Sequence, residues 1–383
     1  MSVKNMSFET KSIHAGEPRA RYAGSVNIPI FQSSTYEIDK DSQEIGMRYL
    51  RLNNTPNHIF LHRKLAALEC SEAALVTSSG MSAITTTLNT FLELGDHLLC
   101  HKVLYGGTAG YVSKELPKSG VDVDFIDASQ PSDWALKIKP NTKVIYIESI
   151  TNPLMTIPEL DEIVRFAKEN NLISIVDNTF ATPVLYNPIV NGFDIVLHSA
   201  TKYLNGHSDI VGGAIMGGEE HIYKIKSKLN YLGGSMDPNT CYLLQRGIKT
   251  LLLRFNKQSE NAKKIAEYLN NHENVIKVNY PGIPSNSEHL RAKKYFGGYG
   301  AMLSFELKGG VDYSDEFIGR LKYPLNAASL GGVESLITRP VQTSHSFLNP
   351  EERAKAGISD SLIRYSPGIE SAADLIDDMD HAF

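Results

Sequence analysis

The sequence predicts an α/β protein with a larger domain built on a mostly parallel sheet and a smaller α+β domain at the C-terminal end. Between residues 71 and 216, short β-rich runs alternate with helical patterns. Several of these runs are apolar almost throughout, as expected of strands that are covered on both faces. After Arg254 the alternation stops, and a long amphipathic helix is followed by two separated strands. A chain of 383 residues is long enough for two or three domains.

The elements follow in chain order. The predicted strands of the larger domain are AALVT (73–77), HLLCHKV (97–103), VDVDFID (121–127), KVIYIES (143–149), LISIVDN (172–178), DIVLHSA (194–200) and GGAIMGG (212–218). The helix that follows Pro158 repeats apolar residues at i, i+3, i+4 and i+7, so one of its faces is expected to pack on the sheet. The later elements predicted are helices over 243–253 and 258–272, strands over 275–280 and 301–307, and a helix after Glu370.

The first 50 residues have little periodicity and are predicted to form an extended arm. The predicted division is therefore an arm over 1–53, a larger domain over 54–253 and a smaller domain over 254–383.

Composition and charge exclude several classes of protein. The 38 Lys and Arg residues are balanced by 43 Asp and Glu residues, and no long basic run is present, so a nucleic-acid partner is not expected. No stretch has the roughly 18 apolar residues of a membrane span, and the N-terminal residues lack the apolar core of a signal peptide, so we expect a cytoplasmic protein without a membrane partner. Cys70, Cys100 and Cys241 are far apart, which indicates neither a disulfide framework nor a metal site.

Four common catalytic signatures are absent from the sequence. It contains no GxxxxGK[ST], GxGxxG, GxSxG or HExxH motif. This argues against a P-loop phosphotransferase, a dinucleotide-dependent oxidoreductase, a serine hydrolase and a zinc peptidase. Phosphate binding by other means stays open.

One such means is the segment TSSGMSAI, which follows the first strand and begins a helix at about Gly80. Free N–H groups of Ser79, Gly80 and Met81 at a helix N-terminus form an anion site, because the helix dipole lies behind them. An ordinary serine-capped helix is the alternative interpretation.

Two further elements carry chemistry. In LHSATKYLNGHSD, Lys202 follows the end of an apolar strand, beside the hydroxyl groups of Ser199 and Thr201. A lone lysine is normally a solvated surface charge, but ligands of open α/β sheets bind at this end of the strands, where a lysine can be partly desolvated and its amine made available as a nucleophile or base. Asp177 closes the apolar strand in IVDNTF, either as a helix cap or as the partner of a buried cation such as a pyridinium nitrogen. Together, the anion site, the acid and the lysine are the groups that pyridoxal 5'-phosphate needs.

The chain resembles the Cys/Met-metabolism family of pyridoxal-phosphate enzymes, which includes the cystathionine lyases and synthases and methionine γ-lyase. The resemblance extends over essentially the whole chain, and the 25 residues from Asp177 to Lys202 (202 − 177) resemble the spacing of the aspartate-aminotransferase-like fold, fold type I. The stretches that carry it are TSSGMSAI, LYGGT, IESITNP, VDNTFATP, HSATKYLNGHSD, LLQRGIKTLLLR, YPG, SLGGVESL and GISDSLIRYSPGIE.

The resemblance implies roles for individual residues. Lys202 would hold the cofactor through a Schiff base and move protons, Asp177 would pair with the pyridine nitrogen, and Tyr105 would stack on the ring. The phosphate contacts implied in the same chain are the amides of Gly80 and Met81 and the hydroxyl groups of Ser199 and Thr201. The residues implied to contact the amino-acid substrate are Arg364 at its carboxylate, with Asn152, Ser329 and Glu334. His198 and His207 are interpreted as structural.

The resemblance also implies an assembly. The family forms homotetramers, as dimers of dimers, in which an N-terminal segment supplies phosphate contacts to a neighbouring subunit. Tyr49 and Arg51 would be those contacts here.

Three positions depart from the family pattern. The usual Asn-Pro-Thr order is replaced by Asn54-Thr55-Pro56. Arg339 stands where relatives commonly carry an acidic or neutral residue, which puts recognition of the distal part of the substrate in doubt. Pro367 replaces a usual aliphatic residue, and we assign it no consequence.

The reaction type is chosen from side chains, because one scaffold in this family serves β-elimination, γ-elimination and γ-replacement. Methionine γ-lyases typically carry Cys where this chain has Gly107. Glu334 offers an acid for the distal ammonium group of cystathionine, with a loop-capping glutamate as the alternative. Enteric-type β-lyases often have Trp where this chain has Leu330.

We therefore predict a cystathionine lyase, with γ-elimination slightly favoured over β-elimination. The alternatives are a cystathionine γ-synthase that uses O-succinyl- or O-acetylhomoserine with cysteine, and a catalytically silent scaffold of the same fold.

Overall fold

The computed structural model describes residues 6–38, 47–346 and 348–383. In this part of the chain, a seven-stranded sheet has the order β1-β7-β6-β5-β4-β2-β3, and β7 is antiparallel to both of its neighbours while the other pairs are parallel. The prediction of an α/β fold with a mostly parallel sheet is confirmed. The strands are β1 (Ala73–Thr77), β2 (His97–His101), β3 (Asp122–Ile126), β4 (Thr142–Glu148), β5 (Ile173–Asp177), β6 (Ile195–Ser199) and β7 (Gly213–Gly217).

The α-helices of the described residues lie around this sheet and the smaller one. They are α1 (Phe8–His14), α2 (Pro56–Glu69), α3 (Gly80–Phe91), α4 (Gly106–Gly110), α5 (Leu160–Glu169), α6 (Thr182–Leu185), α7 (Glu219–Leu232), α8 (Pro238–Ile248), α9 (Leu251–Asn270), α10 (His289–Tyr295), α11 (Gly310–Arg320), α12 (Pro350–Lys355) and α13 (Ala372–Ala382). None of them combines the length and the apolar composition that crossing a bilayer requires.

Two apolar cores lie on the two faces of the large sheet. Val176 and Val196 belong to one core, and their chain neighbours Ile175 and Ile195 belong to the other. Because side chains alternate between the faces of a strand, a sheet that is covered on both sides needs apolar residues at every position. This is why the strands read as continuous apolar runs.

A second sheet of five strands forms the smaller α+β unit, in the order β10-β11-β12-β9-β8. Only β8 and β9 correspond to predicted strands, because the other three are two to four residues long and leave little pattern. The strands are β8 (Val275–Asn279), β9 (Leu303–Leu307), β10 (Leu325–Asn326), β11 (Leu336–Thr338) and β12 (Ile363–Ser366).

Helix α9 connects the two parts of the molecule. Leu251 and Phe255, in its first half, pack in a core of the large sheet, whereas Ile265 and Leu269, in its second half, pack in the core of the small sheet. The predicted helices over 243–253 and 258–272 therefore have different bounds in the structure. One helix ends at Ile248, and the next begins at Leu251 and continues without interruption past residue 254.

The segment predicted as an unpatterned arm contains helix α1. The helix packs near α2, where the buried amine of Lys64 donates to the carbonyls of Ser12 and Ile13 at 2.7 and 2.9 Å. A cation at the C-terminal end of a helix satisfies carbonyls that have no partner within the helix. This short helix is therefore stabilised by a residue more than 50 positions away, which local periodicity does not reveal.

Candidate active site

A cavity of about 620 Å³ lies at the carboxyl ends of β4, β5 and β6, where the small sheet faces the large one. Its lining combines residues from distant parts of the chain. Eleven residues that the sequence assigns to cofactor or substrate binding contribute to it: Ser79, Gly80, Met81, Tyr105, Asn152, Asp177, Ser199, Thr201, Lys202, Ser329 and Arg364.

One wall is the N-terminal end of α3. Ser79 caps this helix, and its side chain accepts a hydrogen bond from the N–H of Ser82 at 3.0 Å. The N–H groups of Gly80 and Met81 precede the first intrahelical donor, the N–H of Ala83, and both residues line the cavity, so these N–H groups are available to an anion. A Cβ on Gly80 would lie 3.0 Å from Oγ of Ser199, so glycine lets β6 approach the helix end closely.

The floor of the cavity carries Asp177 at the end of β5. Its Oδ1 accepts hydrogen bonds from the N–H and the hydroxyl of Thr179, at 2.9 and 2.5 Å. The Thr179 hydroxyl also accepts the N–H of Ser199 at 2.8 Å, which joins the acid to the next strand. Burial raises the pKa of the Asp177 carboxyl, and the Thr179 hydrogen bonds and the nearby imidazole of His198 oppose that rise. A cation in the cavity would therefore be stabilised strongly by this carboxylate.

Lys202 stands in the turn after β6. Its Nζ donates to Oγ of Ser329 at 2.7 Å. Burial, and then the positive charge of Arg364, lowers the pKa of the Lys202 amine to about 8. Near physiological pH the neutral form of this amine, which nucleophilic attack and proton removal require, is consequently far more populated than in an ordinary lysine.

Arg364, on β12, is a buried cation. Its guanidinium donates to Oδ1 of Asn152 at 3.3 Å and to the carbonyl of Ser329 at 2.8 Å. Within the described residues, its partners are neutral oxygens rather than a carboxylate. Buried charges are normally paired, so this arrangement favours an anionic ligand such as the carboxylate of an amino acid.

Ser329 contacts both Lys202, through its hydroxyl, and Arg364, through its carbonyl. It has a φ of 87°, in the left-handed region that serine rarely adopts. Backbone strain of this kind persists where the surroundings fix the residue, often at functional sites.

Glu148 and Thr179 also line the cavity and were not identified from the sequence. Glu148 ends β4, opposite Asp177 of β5 in the parallel register, and its Oε1 accepts the backbone N–H of Tyr105. Burial, and then the negative charge of Asp177, raises the pKa of Glu148 well above its usual range. An acid that directly follows an apolar strand is the same signal that identified Asp177, and it is present in KVIYIES.

Three residues named from the sequence lie outside the cavity lining of their own chain. Tyr49 donates its N–H to Oδ1 of Asn54 at 2.9 Å, and Arg51 donates to the carbonyl of Asn230 at 2.6 Å. Glu334 accepts a hydrogen bond from the Ser208 hydroxyl at 3.2 Å. The contacts expected for these three residues with cofactor or substrate stay predictions.

Arg339 is held within the smaller α+β unit. Its Nε and Nη2 donate to the two carboxylate oxygens of Asp315 at 2.7 Å each, and its Nη1 donates to the carbonyl of Asp360 at 2.7 Å. All of its donor nitrogens are thereby engaged with protein. The ion pair with Asp315 accounts for the unusual arginine at this position, and Arg339 is not among the residues that line the cavity.

The geometry of the cavity fits the groups that pyridoxal phosphate needs. It offers an anion site at the start of α3, a buried carboxylate, a desolvated lysine and a buried arginine in one space. In the described part of the chain, no group of three or more His, Cys, Asp or Glu residues is arranged to hold a metal ion.

Comparison with known proteins agrees with this chemistry. The family model described as Cys/Met metabolism PLP-dependent enzyme matches residues 9–383. The chain is 40% identical to an L-methionine gamma-lyase of Fusobacterium nucleatum subsp. polymorphum, over 99% of this chain and 98% of that protein. It is 42% identical to a cystathionine gamma-lyase of Bacillus subtilis, over 98% and 99% of the two chains, and 42% identical to a cystathionine beta-lyase of Lactococcus lactis subsp. cremoris, over 98% of each.

Solved structures show the same fold. A cystathionine gamma-lyase from Lactobacillus plantarum, complexed with L-serine, superposes with a TM-score of 0.94 at 38% identity, covering 99% of this chain and 98% of that one. A putative O-acetylhomoserine (thiol)-lyase from Campylobacter jejuni, which contains a pyridoxyl-lysine phosphate, has a TM-score of 0.94 at 32% identity, covering 98% and 99%.

Proposed function

Since this chain belongs to the Cys/Met-metabolism family of pyridoxal-phosphate-dependent enzymes and is a carbon–sulfur lyase, we propose that its substrate is L-cystathionine and that γ-elimination is its main reaction. The observation that supports cofactor-dependent chemistry on an amino acid is the meeting of Lys202, Asp177 and Arg364 around one cavity. The buried arginine lacks a carboxylate partner among the described residues, and the lysine beside it has a lowered pKa.

The residues that would hold the cofactor follow from the lining. The N–H groups of Gly80 and Met81 and the hydroxyl of Ser199 would receive its phosphate, and Asp177 would keep its ring nitrogen protonated. Thr201 is a weaker candidate, because its hydroxyl already donates to the carbonyl of Gly212 at 3.2 Å. When bound, pyridoxal phosphate supplies an electron sink for the electron pair left at the substrate Cα.

The other residues would act on the substrate. Arg364 would bind the α-carboxylate through two parallel N–H donors, with Asn152 and Ser329 fixing its plane. The neutral amine of Lys202 would remove the Cα proton and later return a proton to carbon. Tyr105, a cavity-lining residue that is 40% exposed, would assist departure of the thiolate.

Gly107 supports cystathionine over methionine as substrate. A Cβ at this position would lie 2.6 Å from the ring of Tyr105 and 2.7 Å from Sδ of Met81. The cysteine typical of methionine γ-lyases would therefore displace the tyrosine or the methionine. In this chain the tyrosine ring occupies the space that such a side chain would need.

Product analysis with L-cystathionine tests the proposal. γ-Elimination converts cystathionine and water into cysteine, 2-oxobutanoate and ammonia, whereas β-elimination yields homocysteine, pyruvate and ammonia. We expect more 2-oxobutanoate than pyruvate. L-Methionine serves as the comparison substrate, and its cleavage is measured by the release of methanethiol.

Two results would contradict the proposal. The first is faster turnover of methionine than of cystathionine. The second is the absence of both keto acids, together with synthesis of cystathionine from O-succinylhomoserine and cysteine, which would identify the γ-synthase alternative.

A further inference from the structure

Helix α9 carries a buried arginine, Arg254, beside the turn that holds Lys202. Only 4% of Arg254 is exposed. Its partners within the described chain are neutral oxygens. Burying a guanidinium is costly unless its N–H groups are hydrogen-bonded, so the positions of these acceptors are tightly coupled to the arginine.

The acceptors lie on two separate segments. Nη1 donates to the carbonyl of Tyr203 at 3.0 Å, and Nη2 lies 3.5 Å from the carbonyl of Leu204. Nη2 also donates to the carbonyl of Gly247 at 2.8 Å, and Nε donates to the hydroxyl of Thr250 at 3.1 Å. One planar side chain therefore connects the corner between α8 and α9 to the two residues that directly follow Lys202.

The backbone of the turn closes around this side chain. Gly206 has a φ of +72°, and a Cβ on it would lie 1.7 Å from Nη1 of Arg254. The N–H of Gly206 donates to the carbonyl of Lys202 at 2.8 Å. A Cβ on Gly247 would lie 2.2 Å from the carbonyl of Asn205, so α8 contacts the same turn. The turn has little freedom to move unless Arg254 moves with it.

We propose that Arg254 is a positioning residue for Lys202, because it fixes the backbone from which the lysine side chain reaches the cavity. The proposal rests on the proposed function, in which Lys202 holds the cofactor. A lysine has a flexible four-carbon stem, so the place of its amine depends on where its backbone is held. A displacement of about 1 Å at a reacting group can cost about 10²-fold in rate.

The test uses Arg254→Lys, with Arg291→Lys as the matched control. A lysine at 254 keeps the charge but replaces three nitrogens, which reach Thr250, Tyr203 and Gly247 separately, with a single nitrogen. Arg291 also donates to a backbone carbonyl, that of Ser129 at 3.5 Å, but it pairs with Glu159 away from the cavity. Both changes therefore remove a guanidinium network, and only one removes contacts to the Lys202 turn.

The readout is formation of the cofactor–lysine bond rather than turnover. Cofactor-free protein is mixed with pyridoxal phosphate, the rise in visible absorbance is followed, and the bond is then trapped with borohydride and mapped by peptide analysis. Each variant is measured at a temperature at which circular dichroism shows it to be folded. We expect Arg254→Lys to slow bond formation by about tenfold or more, and Arg291→Lys to match the wild type.

The outcomes separate this inference from the proposed function. Trapping at Lys202 in the wild type, combined with a wild-type rate in Arg254→Lys, would overturn the role of Arg254 alone. Trapping of the wild type at another lysine would overturn both. If Arg254→Lys does not fold, Thr250→Val, which removes only the Nε acceptor, takes its place. A slower rate in that folded variant supports the inference, and an unchanged rate overturns it.

Discussion

The amine of Lys202 lies 2.7 Å from the hydroxyl of Ser329, while the carbonyl of the same serine accepts a hydrogen bond from Arg364 at 2.8 Å. One residue of the smaller unit thus contacts the proposed cofactor-binding lysine and the proposed substrate-binding arginine together. Its left-handed backbone lets side chain and carbonyl serve the two cations at once. Ser329 therefore links the lysine and arginine head groups through its hydroxyl and its carbonyl.

Replacement of that hydroxyl tests the relationship. We expect Ser329→Ala to keep cofactor bound but to lower kcat/KM for cystathionine, because the lysine amine loses the contact that orients it. The loss of one hydrogen bond to a charged group corresponds to about 1.5–3 kcal/mol. Steady-state kinetics measure the effect, with Ser344→Ala, another cavity-lining serine, as the comparison. Equal losses in the two variants would indicate a general effect of truncating the lining.

A second prediction concerns Asp177. Asp177→Asn preserves the shape of the side chain but removes the negative charge that would stabilise a protonated ring nitrogen. We expect it to retain some cofactor and to lose about 10²-fold or more in turnover. Quantifying bound cofactor alongside kcat separates the two effects. Near-normal turnover would show that the carboxylate serves only as the acceptor of the Thr179 hydrogen bonds.

The lowered pKa of Lys202 predicts how cofactor attachment depends on pH. The amine must be neutral to attack the aldehyde, so the attachment rate should rise with pH and level off above about 8. An unperturbed lysine would instead give a rate that still rises near pH 10. Stopped-flow mixing of cofactor-free protein with pyridoxal phosphate measures this profile.

Lys64 provides an internal control for that experiment. Burial also lowers its pKa to about 8, but its amine is engaged with the carbonyls of Ser12 and Ile13 outside the cavity. Peptide mapping should place the label on Lys202 and leave Lys64 unmodified. Equal labelling of both lysines would show that a lowered pKa, and not the cavity, selects the site.

Glu148 is expected to act in its neutral form. Glu148→Gln retains a side-chain oxygen for the Tyr105 N–H and should behave nearly as the wild type in cofactor binding. Glu148→Ala leaves that donor without its acceptor, which should cost about 1–3 kcal/mol in the free energy of unfolding. Urea denaturation of the cofactor-free variants measures it. If both substitutions are equally damaging, the ionised carboxylate is required.

The predicted sharing of sites between subunits is tested by mixing two inactive variants. Lys202→Ala lacks the amine, and Arg51→Ala lacks a side chain that does not line the cavity of its own chain. In a symmetric dimer that exchanges the segment, a mixed pair has one site with both defects and one site with none. Activity should reappear after the two are unfolded and refolded together. If wild type recovers in the same procedure and the mixture does not, Arg51 acts within its own chain.

Much of the fold was predictable because burial on both faces of the sheet leaves a strong pattern. The seven strands of the large sheet and the acid and lysine at the ends of β5 and β6 follow from it. Glu148, like Asp177, ends an apolar run, yet nothing in the sequence shows that its carboxyl group accepts a hydrogen bond from the N–H of Tyr105. The partner of Arg339, Asp315, lies 24 positions away on another element. Contacts of this kind depend on tertiary packing, which local patterns do not encode.

Helix α9 has a consequence for access to the cavity. Arg254 donates to the carbonyl of Tyr203, next to Lys202, and Gln258, one turn later, donates to the carbonyl of Gly332 at 2.6 Å, three residues after Ser329. Four helical residues span about 6 Å, a length that the intrahelical hydrogen bonds hold constant. Helix α9 therefore holds constant the separation between the cavity wall that carries Lys202 and the wall that carries Ser329. A substrate should accordingly enter through the open mouth of the cavity, without the two units swinging apart.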